Sequence, residues 1–427
     1  MRVLVTGASG FIGKHIVRCL LDAGHEVTGT TRNPAELQHA MPGLRAIAAN
    51  FATDHDPAVW QARLQGMDVV INATGIFEEH GNQSFLAVHR DAPIALFRAC
   101  EAAGIRRVIQ ISALGADEHA STAFHLSKKA ADDQLASSSL DWAITYPSIV
   151  YGPGEASMGF FKAIAALPLI PLVGNGEQQV QPIHVEDLSQ GILRLVESQG
   201  LLNTRLPAVG PEPVTFRRLL EILRAWLGER PAPMFPSPLA LARPGADLLG
   251  RLGMAPVNAD GINMLLRGNT ASPAPWIEHT GVQPRSLQSA FPPGAATEAE
   301  RWHARLFFLK PLLRLSLALV WIITGLLSLG IYPIEDSYAL LARTGLQEIT
   351  ASVALYGAAL LDLLLGLALL FRYHLQRIAL LQILVMLTFS VIIAFALPEY
   401  WLHPFGPLLK NLPMITATLV MMALEKR

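Results

Sequence analysis

Cysteine is nearly missing from this 427-residue chain, which holds only Cys19 and Cys100. Each falls in a helix-like stretch without metal-ligand spacing, which excludes a disulfide framework and a thiolate metal centre. Free buried thiols in a reducing compartment are expected, and no metal. Charge is also scarce, at 16% of residues, and nets to −1. With no basic run interleaved with aromatics, nucleic acid is excluded as a partner. A charged-then-apolar leader is missing too: the chain opens on "RVLVTG", so the N-terminal part is expected to stay in the cytoplasm. What is plentiful is apolar side chain, 51% of the total. Nearly all the long apolar runs lie after residue 305, whereas the first three hundred residues have the mixed composition of an α/β protein. Two physically different parts follow.

The stretch "MRVLVTGASGFIGKHIVRCLLDAGHEVTGTTRN" reads as a β-branched strand, a glycine turn, an amphipathic helix ended by Gly24 and a second strand at 26–31. Gly7, Gly10 and Gly13, with Ser9, Phe11 and Ile12 among them, make a dinucleotide fingerprint in the right context, after a strand and opening a helix. The helix N-terminus faces a pyrophosphate with its free N–H groups. An NAD site places a carboxylate at the end of the second strand. Here that end is "GTTRN", and Arg32, seconded by Lys14, favours the 2′-phosphate of NADP(H) over NAD(H). Further strands at "GLRAIAANF", "DVVINATG" and "RRVIQISALGA" alternate with helices, which predicts a Rossmann-type, doubly wound parallel sheet. Ligands sit beyond the carboxyl ends of such strands, selecting Asn50, Phe51, Ala73, Thr74, Gly75 and Ser112.

The ordered series "TGASGFIG", "DVVINATG", "ISALGAD", "SKKAADDQL" and "YPSIVYGPGE" resembles the extended and atypical short-chain dehydrogenase/reductases over about residues 1–290. The stretch 167–192 is most similar to the group containing the nucleotide-binding accessory subunit of respiratory complex I. The resemblance implies a Ser, Tyr, Lys catalytic set with the tyrosine four residues before the lysine. Ser112 and Lys128 fill their slots, Lys128 also binding the nicotinamide ribose, but position 124 is Phe. Phenylalanine has no titratable proton, so the usual acid is missing. Three readings stand: His125 substitutes, Tyr146 substitutes, or the domain binds cofactor without turnover, as a silent assembly or sensor subunit.

Four apolar stretches, 311–331, 350–371, 377–397 and 408–424, approach the roughly 20 residues that cross a bilayer. An all-α, four-helix transmembrane bundle is expected at 311–427. Before it come a Rossmann core at 1–150, the rest of the reductase-like domain with its substrate lobe at 151–296, and an interfacial linker at 297–310. Arg301, Arg305, Lys310, Arg314, Arg372, Arg377, Lys426 and Arg427 outweigh Arg343 and Lys410, which predicts a multi-pass protein of the cytoplasmic (inner) membrane with both termini in the cytoplasm. Asp362, mid-span, should face the bundle interior. His403, Lys410 and Asn411 gather at the entry to the last span. The segment "HPFGPLLKNLP" resembles the DoxX-like membrane family, which implies a lipophilic partner such as a quinone or isoprenoid, and other membrane redox subunits. The expected activity is a membrane-anchored oxidoreductase acting on a lipophilic carbonyl or quinone.

Overall fold

The computed structural model describes residues 1–155, 157–251, 259–404 and 406–425. They fall into two compact units, one ending at Ala304 and one beginning at Arg305.

In the first unit, β1 (Arg2–Thr6), β2 (Glu26–Thr31), β3 (Arg45–Ala48), β4 (Val69–Asn72), β5 (Arg107–Ile111) and β6 (Asp141–Pro147) are joined by Thr204–Ala208 in a seven-stranded sheet. Its order is Thr204–Ala208, β6, β5, β4, β1, β2, β3, and every neighbouring pair is parallel. The central strands β1 and β4 are near-continuous apolar runs, buried almost throughout, because both faces are covered. On one face α1 (Phe11–Asp22) packs with the helix Val185–Glu197, burying Ile16, Val17, Leu20, Leu188 and Ile192. On the other lie α2 (Ala58–Leu64), α3 (Ala92–Ala103) and α4 (Ala123–Ala136), burying Trp60, Leu96, Phe97, Ala131 and Leu135. The chain winds outward from β1 to β3, then returns to β4 on β1's other side. The crevice at that reversal is where such sheets take ligands.

Two local features were not legible in the sequence. Leu86–Asp91, just before α3, is a π-helical turn, and Trp276 is fully buried because Gly191 leaves it room: a Cβ there would lie 1.9 Å from the indole.

The first long helix, Glu298–Leu326, takes in residues 298–310 of the expected linker and most of the first span without a break; its residues from Arg305 on belong to the second unit, and a π-helical turn, Leu327–Ile331, follows it. The second and third are Glu348–Leu370 and Leu375–Ala396. All three are long and apolar enough to cross a membrane; Asn411–Leu424, at 14 residues, is shorter. A short amphipathic helix, Ile334–Arg343, lies between the first two and was not anticipated. Lys426 and Arg427 lie outside the described residues. The first two helices touch closely: a Cβ at Gly325 would lie 2.8 Å from Ala359 O, and one at Gly366 2.9 Å from Ala318 O. Small residues permit that approach, as in membrane helix pairs.

Candidate cofactor and active site

The glycine turn is built for close backbone approach. Gly7 has φ 63°, and a Cβ there would lie 2.8 Å from Ala73 O; a Cβ on Gly13 would lie 2.1 Å from Gly7 O. The first glycine therefore takes a left-handed conformation, and the third lets α1 pack on the turn. Gly10 caps α1, whose first turn carries no acidic residue, so its N–H groups remain available to an anion.

Gly7, Ser9, Gly10, Arg32, Asn50, Phe51, Ala73, Thr74 and Gly75, all expected from the sequence, line one cleft. Phe11, Ile12 and Gly13 form the first turn of α1 beside it. No carboxylate closes the end of β2: Thr31 Oγ1 donates to Ser9 Oγ at 3.2 Å, and Arg32 stands exposed in the lining. Lys14 is exposed and does not line the cleft. These residues fit a dinucleotide.

The site continues past Gly75. A Cβ there would lie 3.6 Å from both His89 Nε2 and Lys128 Nζ. Lys128 is buried, donates to Ile111 O at 3.2 Å and lies 5.7 Å from the centre of the Phe124 ring. Burial lowers its pKa to about 8, against the opposing pull of Asp132. Phe124, at the position the family resemblance assigns to a tyrosine, is the centre of an aromatic group. Phe77 stacks on it at 5.2 Å, and Phe85 and His89 meet it edge-on at 5.9 and 5.3 Å. Phe124 is 6% exposed, whereas Phe77 is 73% exposed. His89 accepts from Ile76 N at 2.9 Å, and burial drives its pKa down, so it is neutral.

Ser112 Oγ hydrogen-bonds Asp132 Oδ2, an acid fully buried on α4 and missed in the sequence reading. The signal was present: Asp132 follows Lys128 by four residues, one helical turn on the same face. Burial raises the Asp132 pKa from 3.8 to about 6, opposed by the Ser112 hydrogen bond and by Lys128. Its Oδ1 has no hydrogen-bond partner among the described residues. The neighbouring strand ends carry a buried polar chain: Thr74 Oγ1 donates to Thr6 Oγ1 (2.9 Å), Thr6 to Asn72 Oδ1 (2.5 Å) and Asn72 to Gln110 Oε1 (2.8 Å).

The two alternative donors are placed differently. His125 is buried with Nδ1 3.1 Å from Thr122 Oγ1 and Nε2 without a hydrogen-bond partner among the described residues; burial, then Arg267, lowers its pKa to about 4. Tyr146 accepts from Arg205 at 2.8 Å, and burial raises its pKa, so it holds its proton tightly. In the second unit Asp362 is half-buried beside Thr324 of the first long helix. Asn411 donates to Ser390 at 2.8 Å, His403 stacks on Tyr400 at 5.6 Å, and Lys410 is exposed.

Residues 7–158 match a family of NAD(P)H-binding domains, and residues 318–419 match the DoxX-like family. Ceramide reductase from Caulobacter vibrioides is 26% identical over 231 residues, 54% of this chain and 71% of that protein. The mitochondrial NADH dehydrogenase (ubiquinone) 1 alpha subcomplex subunit 9 of Arabidopsis thaliana is 28% identical over 250 residues, 56% of this chain and 62% of that one. The chain thus spans less than two thirds of the plant subunit's length. Among solved structures, UDP-glucuronic acid 4-epimerase from Bacillus cereus, in complex with UDP-glucuronic acid and NAD, aligns with a TM-score of 0.54 at 18% identity, over 71% of this chain and 99% of that one. That likeness is one of fold.

Proposed function

The chain joins an NAD(P)H-binding domain of the extended short-chain dehydrogenase/reductase kind, related to the complex I subunit and ceramide reductase, to a DoxX-like region; on that premise we propose a membrane-anchored, NADPH-dependent reductase of a lipophilic carbonyl. The observation that carries the proposal is the Ser112–Asp132 hydrogen bond beside a tyrosine slot occupied by Phe124. That bond runs in either direction. With Asp132 ionised, Ser112 donates inward and has no proton for a substrate. With Asp132 protonated, the carboxyl donates to Ser112, whose hydroxyl then donates outward.

When bound, the reduced dinucleotide supplies a hydride to the carbonyl carbon. The carbonyl oxygen takes its proton from Ser112 Oγ, and Asp132 returns one to the serine. Lys128, one turn away, stabilises the carboxylate that remains. Arg32, exposed in the cleft lining, would receive the 2′-phosphate, and Lys128, whose Nζ lies 3.6 Å from a Cβ built at Gly75, would hold the nicotinamide ribose. The exposed Phe77 ring and the Phe124 group behind it favour an apolar partner over a sugar. Ceramide reductase supports the same choice by likeness. The second unit holds the protein in the cytoplasmic membrane, with the end that carries Lys310, Arg314 and Arg372 on the cytoplasmic side. Substrate-dependent NADPH oxidation with membrane-soluble ketones, against Ser112→Ala and Asp132→Asn, tests the reading.

Phe124 also favours a second reading, a cofactor-binding subunit without turnover that assembles with membrane redox proteins, in line with the complex I likeness. Tight NADPH binding with no carbonyl-dependent oxidation, and membrane proteins that co-purify, select it over the first.

A further inference from the structure

Three segments distant in sequence, 310–314, 372–376 and 422–425, meet at one end of the second unit. Glu425, 3% exposed, receives Arg314 at 3.5 Å on Oε1, and Lys310 at 3.4 Å and Arg372 at 3.6 Å on Oε2. Gln376 donates to Met422 O at 2.9 Å, tying the start of the third long helix to the end of the short one at the same level. Within this unit, three cations thus share one carboxylate. Each contact is longer than the 2.7–2.9 Å usual for charge-assisted bonds. The cations differ in access: Arg314 is sealed at 3% exposure, while Lys310 (32%) and Arg372 (54%) open outward. Arg372 sits in a left-handed conformation, φ 59°, between Phe371 and Tyr373, both exposed. An exposed tyrosine such as Tyr373 marks the headgroup level of a bilayer.

We infer that Lys310 and Arg372, over the buried Arg314–Glu425 pair, form a binding site for a phosphate-ester anion, the headgroup of an anionic phospholipid. Among the described residues, Glu425 is the carboxylate that all three cations reach, and it is buried with Arg314 while the other two open outward. The two outer cations remain for a tetrahedral anion, and the neighbouring Tyr373 ring sets them at the depth where lipid phosphates lie. The inference rests on the membrane placement proposed above.

The test is native mass spectrometry of the full-length protein in detergent, titrated with phosphatidylglycerol, with phosphatidylcholine, and with phosphatidylglycerol plus inorganic phosphate. Phosphatidylglycerol should be retained in preference to phosphatidylcholine, and Lys310→Gln/Arg372→Gln should weaken that preference roughly thirtyfold. Lys310→Arg/Arg372→Lys should preserve it, and Glu425→Gln should strengthen it. Displacement of the lipid by millimolar inorganic phosphate would support the same site with a soluble phosphate as its ligand. Equal retention of the two lipids, or full preference in Lys310→Gln/Arg372→Gln, overturns the inference. Alkaline extraction of native membranes separates the two claims. Protein released into the supernatant defeats the membrane placement itself, whereas protein kept in the pellet with no lipid preference defeats only the phosphate site.

Discussion

The rings of Phe77 and Phe124 lie 5.2 Å apart and 11° from parallel, one largely open to solvent and the other buried. An exposed ring stacked on Phe124, the position the family resemblance assigns to a tyrosine, adds little to stability, because most of its surface stays in water. Its value lies with the partner it covers. Phe77→Ala is expected to raise KM for a long-chain ketone about tenfold, the worth of one aromatic contact face, and to leave Tm within roughly 2 °C of wild type. Steady-state kinetics and calorimetry on the same preparations check both halves.

Asp132 predicts a pH signature. Its proton is held up to about pH 6, so ketone reduction should be fastest below that value and fall about tenfold per unit above it. Asp132→Asn should abolish the slope and lower kcat by roughly a hundredfold. Stability follows the same sign. The folded pKa is raised from 3.8 to about 6, so the contribution of Asp132 is full below pH 3.8 and lost as pH rises through 6. Urea titrations at pH 4 and pH 7 should show a smaller difference in the Asn variant than in wild type.

Gly13 is required by space alone. Gly13→Ala drives a methyl to 2.1 Å from Gly7 O and should destabilise the first unit by roughly 3 kcal/mol, with loss of NADPH binding. Gly43, whose nearest neighbour to a new Cβ is Leu21 Cδ1 at 3.8 Å, is the control, and Gly43→Ala should stay within about 0.5 kcal/mol of wild type.

Arg32 separates the cofactors. Arg32→Ala should weaken NADPH about tenfold, the loss of a charge-assisted bond to the 2′-phosphate, and leave NADH unchanged. Calorimetry with both nucleotides on the full-length protein gives the answer. Equal losses for the two would remove the phosphate role.

The cleft proposed for the nucleotide was legible because its signals are local. Gly7, Gly10 and Gly13 must sit at fixed offsets between a strand and a helix, and the strand ends at Asn50 and Ala73 follow from the alternation of elements. The proposed catalytic half depends on tertiary approach. Ser112 and Asp132 belong to different elements, and only folding shows that the serine turns to the acid. Phe77, in a loop without periodicity, gave no sign that it would stack on Phe124. Lys310, Arg314 and Arg372 entered the sequence analysis only as positive charges beside apolar runs, and their meeting at Glu425 joins segments as far as 115 residues apart by number and has no sequence pattern. The last apolar run promised a span, yet its helix, Asn411–Leu424, holds only 14 residues, with Pro404 and Pro407 in the segment before it.

The most direct measurement is NADPH oxidation by the full-length protein in vesicles loaded with a long-chain ketone, with the alcohol product quantified and Ser112→Ala run beside wild type. Reduction through Ser112 and Asp132 predicts one alcohol formed per NADPH consumed, and a rate at least about a hundredfold lower in Ser112→Ala. Bound NADPH with no ketone-dependent oxidation above that variant would contradict it.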